Sequence, residues 1–165
     1  IELYRDKPVT VWDIREDGRI IGVTEELSAQ DIYELGQEIE PFAIASGTRM
    51  GHVHLSVKNS LEASSFYQES LGLEDKFTIP HASWIASGDY HHHLAVNEWG
   101  GKNLVRREHG MVGLAYYVVE VENKEELLKV FAQSQTDKVI TQWISSAEFR
   151  ITDNDGIVTR IRVRN

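Results

Sequence analysis

Cysteine is absent from the chain, which excludes disulfides and thiolate metal sites and leaves His, Asp and Glu as the strong ligands. Basic charge is scarce. Seventeen Lys and Arg stand against 26 Asp and Glu, a formal net charge of −9. Nucleic-acid binding starts from a basic surface, so no such partner is expected. No apolar run approaches the roughly 20 residues that cross a bilayer, so no integral membrane protein is expected either. Residues 1–6 lack the basic and apolar regions of a signal peptide, and there is no initiator Met. The expectation is a cytoplasmic chain that is a portion of something longer. What is present is ordinary for a globular protein: 165 residues, 41% hydrophobic and 26% charged. That suffices for one domain with a core, or for two small modules sharing a sheet.

Residues 1–49 read as a lead-in, with short extended pieces at 1–4, 9–12 and 19–23. Ser28 is placed to cap a short helix, with Asp31 three residues on, Leu27 and Ile32 as a hydrophobic staple, and an end near Gly36. From Met50 the pattern sharpens. Residues 50–57 alternate, with His52, His54 and Ser56 on one face and Val53, Leu55 and Val57 on the other. Ser60 is the expected N-cap of a helix over 61–71, which Gly72 stops. Extended runs follow at 73–79, 82–86 and 90–99. The β-α-β-β-β order then repeats about sixty residues later. A strand is expected at 111–121, followed by a helix capped by Asn123 with Glu126 at its third position. Leu127, Leu128, Val130 and Phe131 form that helix's buried stripe. Strands at 138–144, 147–151 and 158–163 complete the repeat, the last after a turn at 153–156. Two like modules sharing a sheet are the implied arrangement.

Histidine carries the candidate chemistry. His52 and His54 lie two apart on one strand face, about 6.5 to 7 Å along it. One could ligate a metal while the other bonds it from outside, or both could be polar groups on a solvated face. In a strand over 90–93, His91 and His93 would point one way and His92 the other. A neutral imidazole serves as acid/base or as a ligand for Fe, Mn, Ni or Zn, whereas the bland reading is a hydrogen-bonded histidine in a strand. Glu2 could complete a set of two histidines and one carboxylate. Trp12, Trp84, Trp99 and Trp143 read as core or pocket walls, and His109 as a loop residue. The acidic turn at 153–156 lacks the distal Glu of a calcium loop and reads as a hairpin. No Gly-rich phosphate loop, nucleophile elbow or Ser-His-Asp order is present.

Three stretches carry a family resemblance: Gly51-His-Val-His-Leu-Ser-Val57, Phe66-Tyr67 followed by Leu71-Gly72-Leu73, and Tyr90-His-His-His-Leu-Ala-Val-Asn-Glu-Trp99. On these the chain resembles the vicinal oxygen chelate superfamily of glyoxalases, bleomycin-resistance proteins and extradiol dioxygenases. The resemblance covers about residues 46–165, and is in particular to the C-terminal domain of two-domain bacterial catechol 2,3-dioxygenase-like proteins. It implies an α+β fold, with paired βαβββ modules forming a curved mixed sheet around a cavity. Residues 1–49 would then be the end of a preceding domain plus linker. Residues 50–165 would be the domain, with modules at about 50–108 and 109–165.

The resemblance also implies a divalent metal, Fe(II) first, with Mn, Ni or Zn as alternatives and a metal-free chain left open. His52 matches the family's first ligand, but Tyr116 stands at the second position and Thr159 or Arg160 at the third. His92 matches the catalytic acid/base histidine. Glu2 matches the carboxylate ligand, with its partner histidines in the preceding domain. Arg160 would repel a cation and favour an anion. The expected function is part of a metal-dependent ring-cleaving enzyme, this chain carrying a degenerate metal site. The alternative is a non-catalytic small-molecule-binding module. Expected partners are a small aromatic or oxygen-chelating ligand, an upstream domain and a second copy in a homo-oligomer such as a dimer.

Overall fold

A computed structural model describes residues 4, 6–22, 26–36, 41, 43–101, 103–106, 108, 110–135 and 139–164. The expected strand at 1–4 lies almost wholly outside them. The lead-in holds a 3-10 turn at Val9–Val11, where an extended piece was expected, and a small hairpin of β1 (Asp13–Ile14) and β2 (Ile20–Ile21). Helix α1 (Ala29–Leu35) forms as its cap predicts: the Ser28 hydroxyl accepts from the Asp31 N–H, and the helix ends at Gly36. Leu27 and Ile32 remain exposed.

The first βαβββ unit comprises β3 (Val53–Ser56), α2 (Ser60–Leu71), β4 (Glu74–Ile79), β5 (Ala82–Ala86) and β6 (Leu94–Asn97). The second comprises β7 (Tyr117–Val121), α3 (Lys124–Gln133), β8 (Ile140–Ser145), β9 (Glu148–Thr152) and β10 (Val158–Val163). Both units build the same four-stranded mixed sheet. Their spatial orders are β3-β6-β5-β4 and β7-β10-β9-β8, with the first and last strand of each unit parallel.

The repeat read from element order is therefore present, but the expected shared sheet is not. Among the described residues no strand of one sheet pairs with the other. A shared core joins the units instead. Leu55, Val57, Ala63, Phe66, Tyr67, Ile85, Leu94 and Val96 from the first unit pack with Leu127, Phe149, Ile151 and Ile161 from the second. The Tyr67 hydroxyl donates to Asp153 Oδ2 at 2.7 Å across the same junction.

Two local expectations differ. Helix α2 is capped by Asn59, whose side chain accepts from the N–H groups of Leu61 and Glu62, and not by Ser60. The Ser60 hydroxyl donates instead to Glu98 Oε1 at 2.9 Å. Gly72 does close α2 as expected, in the left-handed conformation (φ 69°) that a Cβ disfavours. Leu127 is fully buried in α3, while Leu128, expected in the same stripe, is 49% exposed.

Candidate metal site

The alternation of β3 sends Leu55 and Val57 to the core and puts His54 on the opposite, exposed face, with His52 leading in on that side. The run before β6 folds back beside them. It is not the strand expected at 90–93. Residues 90–93 are irregular, and pairing begins at Leu94, opposite Val53 and Ile85. Freed from strand alternation, His91 and His92 turn toward the same place. His91 Nδ1 lies 2.7 Å from His92 Nδ1. His93 is held apart, accepting from the Ser87 N–H at 3.2 Å.

His52, His54 and His92 thereby converge, each offering one ring nitrogen within 4.8 Å of the others. His54 Nε2 and His92 Nε2 are 3.2 Å apart. The rings of His52 and His92 are 4.2 Å apart between centroids, and those of His52 and His54 are 4.9 Å apart. Two nitrogens at about 2.1 Å from one ion are themselves about 3.0 to 3.4 Å apart. The Nε2 spacing thus suits ligation as well as hydrogen bonding. Burial first, and then the neighbouring histidines, push the His92 pKa down to about 2. Its ring is neutral at physiological pH, as a nitrogen ligand must be. The donor set fits a divalent transition metal.

The lead-in closes over the cluster. The Tyr4 ring stacks on His52 at 5.2 Å, and its hydroxyl lies 2.8 Å from His52 Nδ1. Asp6 reaches His91 Nε2 at 3.3 Å and accepts from the Tyr90 hydroxyl at 2.9 Å. Trp12 sets its edge against His91, with ring centroids 5.1 Å apart. Beside His52, a cavity of about 660 Å³ opens between β3 and β7. Val53, Leu71, Leu94, Tyr117 and Val119 give it apolar walls, and His93 and Lys129 give it polar ones.

Of the residues singled out in the sequence, His52 and His92 are thus brought together, and His54 joins them directly instead of standing behind. Glu2 and His109 lie outside the described residues. Tyr116 and Arg160 do meet, with the guanidinium 4.6 Å from the Tyr116 ring centroid. Arg160 also pairs with Glu148, so its charge is already matched within the sheet. Asp6, Tyr4 and Tyr90 were not anticipated as site residues. Tyr90 adjoins the histidine run, but no sequence pattern links Tyr4 to His52, 48 positions on, or Asp6 to His91, 85 positions on.

No protein-family model matches the chain. It is 30% identical over 129 residues, 77% of its length, to a catechol-2,3-dioxygenase of Bacillus subtilis (strain 168). The chain spans 45% of that curated relative's length. A glyoxalase/dioxygenase from Nostoc punctiforme superposes with a TM-score of 0.57 at 15% identity, covering 75% of this chain and 97% of that one. The fosfomycin resistance protein FosX from Listeria monocytogenes does so with a TM-score of 0.52 at 14% identity, covering 74% and 96%. These structural matches, together with the tandem βαβββ units, define a glyoxalase/dioxygenase-like fold. With the sequence match beside them, they support membership of the vicinal oxygen chelate superfamily.

Proposed function

We propose that the chain is part of a metal-dependent ring-cleaving enzyme of the catechol 2,3-dioxygenase kind, and that its own cation site is His52, His54 and His92. The convergence of those three rings carries the reading, supported by the 30% identity to a catechol-2,3-dioxygenase. A divalent metal held there would supply Lewis acidity toward two adjacent substrate oxygens. The chain's residues do the rest. His52 lines the cavity with His92 stacked beside it, and the cavity's apolar walls take an aromatic ring. The site is degenerate in the second unit, where Tyr116 and Arg160 stand at the ligand positions that the family resemblance implies. Fe(II) is the first choice of metal, with Mn, Ni or Zn as alternatives. An upstream domain, a dimer and a cytoplasmic setting belong to the same proposal.

Metal analysis of the chain, and of a longer form with the upstream domain, tests it. The expected result is about one equivalent of divalent metal on the chain, lost in His52→Ala, with catechol cleavage in the longer form. Absence of metal and of cleavage in both would sink the proposal. A second reading, a metal-free binding module for a small aromatic or anionic ligand, is favoured by the apolar cavity. It predicts unchanged ligand binding after exhaustive chelation.

A further inference from the structure

We propose that the lead-in is a working part of the site: the Asp6 carboxylate, acting through two hydrogen-bond chains, fixes which ring nitrogen of His52 and of His92 faces a metal. The inference rests on the three-histidine reading above and goes beyond it, because residues 4–12 belong to neither βαβββ unit.

A carboxylate only accepts hydrogen bonds, so every donor in a chain that ends on one must point toward it. Asp6 Oδ1 faces His91 Nε2 at 3.3 Å, which puts the His91 proton on Nε2 and leaves Nδ1 as an acceptor. His92 Nδ1, 2.7 Å away, must then donate to it, and His92 carries its lone pair on Nε2. That is the nitrogen already 3.2 Å from His54 Nε2. The second chain runs by way of tyrosines. Tyr90 donates to Asp6 Oδ2 at 2.9 Å, so its oxygen accepts from the Tyr4 hydroxyl, 3.5 Å away. Tyr4, with its own proton directed at Tyr90, accepts from His52 Nδ1–H at 2.8 Å. His52 therefore also carries its lone pair on Nε2. One acceptor sets two ligand tautomers.

The backbone makes room for this arrangement. A Cβ on residue 51 would collide with the Tyr4 hydroxyl, so Gly51 is what allows Tyr4 to lie on His52. Trp12, whose indole N–H donates to the Lys7 carbonyl at 3.0 Å, packs its ring edge against His91 and holds the near chain in place. A carboxylate behind a ligating histidine orients the ring and raises its basicity, and its removal typically costs 10- to 100-fold in metal affinity. Asp6, Tyr4 and His91 are accordingly positioning residues.

Titration of the chain with Co(II), followed by its visible spectrum and by competition with a chelator, tests the proposal. Asp6→Asn offers an amide N–H where only an acceptor fits, and is expected to weaken Co(II) binding about 10- to 100-fold with one equivalent still bound. Asp6→Glu is expected to recover most of that loss. The thermal midpoint of the metal-free protein should stay unchanged in both, which separates positioning from folding. If Asp6→Asn binds as tightly as the parent while His52→Ala abolishes binding, the role of Asp6 is refuted and the three-histidine site stands. If His52→Ala itself binds Co(II) normally, the site fails and the role of Asp6 with it.

Discussion

Glu98 sits just past β6 and accepts from the Ser60 N–H and hydroxyl, both at 2.9 Å, while its other oxygen meets His81 Nδ1 at 2.7 Å. These contacts, the Ser60 N–H first, pull its pKa down to about 2 from an ordinary 4.5. The sign follows from linkage. Between about pH 4.5 and 2 the unfolded chain binds more protons at this position than the folded one, so the stabilisation is present above that window and disappears as pH falls through it. Glu98→Gln is therefore expected to lower the thermal midpoint at pH 6, with the gap to the parent closing by pH 2. A gap independent of pH across that range would contradict the assignment. Neither Glu98 nor Asp6 was visible in the sequence as important. Their partners are brought to them by sheet pairing and by the folding-back of the lead-in, and neither event leaves a local pattern. His52 and His92 were visible, because histidines beside half-buried strands are uncommon enough to stand out.

At the scale of elements, strands end where their partners end. Residues 90–93 read as strand because Leu-Ala-Val follows, yet β3 and β5 offer partners only from Val53 and up to Ala86. His93 makes the last ladder contacts, donating to the Ile85 carbonyl and accepting from the Val53 N–H, and the chain then turns away. The same limit shortens β7, expected over 111–121, to Tyr117–Val121, because β10 pairs with it only from Thr159, opposite Tyr117. Helix ends were more legible, since a cap is a local interaction. Ser28 and Asn123 cap as expected, but at α2 two adjacent polar residues competed and Asn59 took the role. Asn59→Ala is expected to cost about 1 kcal/mol in urea unfolding by loss of that cap. A negligible change in the midpoint would return the cap to Ser60.

At the scale of the molecule, among the described residues, the two units are held by side chains and not by a common sheet. Leu127 of α3 is fully buried in a core drawn from both units, so Leu127→Ala should cost about 2 to 5 kcal/mol. The loss should appear in one cooperative transition reported alike by tryptophans of either unit, Trp84 in the first and Trp143 in the second. Two separate transitions would show that the units fold independently. The division between sheets also leaves the cavity between β3 and β7 open beside His52, which is where the proposed function needs it.

Sequence alone determined the order of elements and their repetition, because hydrophobic period, caps and turn residues act over a few neighbours, and its histidine-bearing stretches carried the family resemblance. It also marked His52 and His92 as candidate site residues. It could not show that His54 would join them as an equal, that residues 90–93 would leave the strand, or that Asp6 and Tyr4 would close over the cluster. Those arrangements depend on ladder length and on contacts between residues some forty to eighty positions apart, whose geometry no local pattern encodes. Tertiary structure alone decided that three histidines meet.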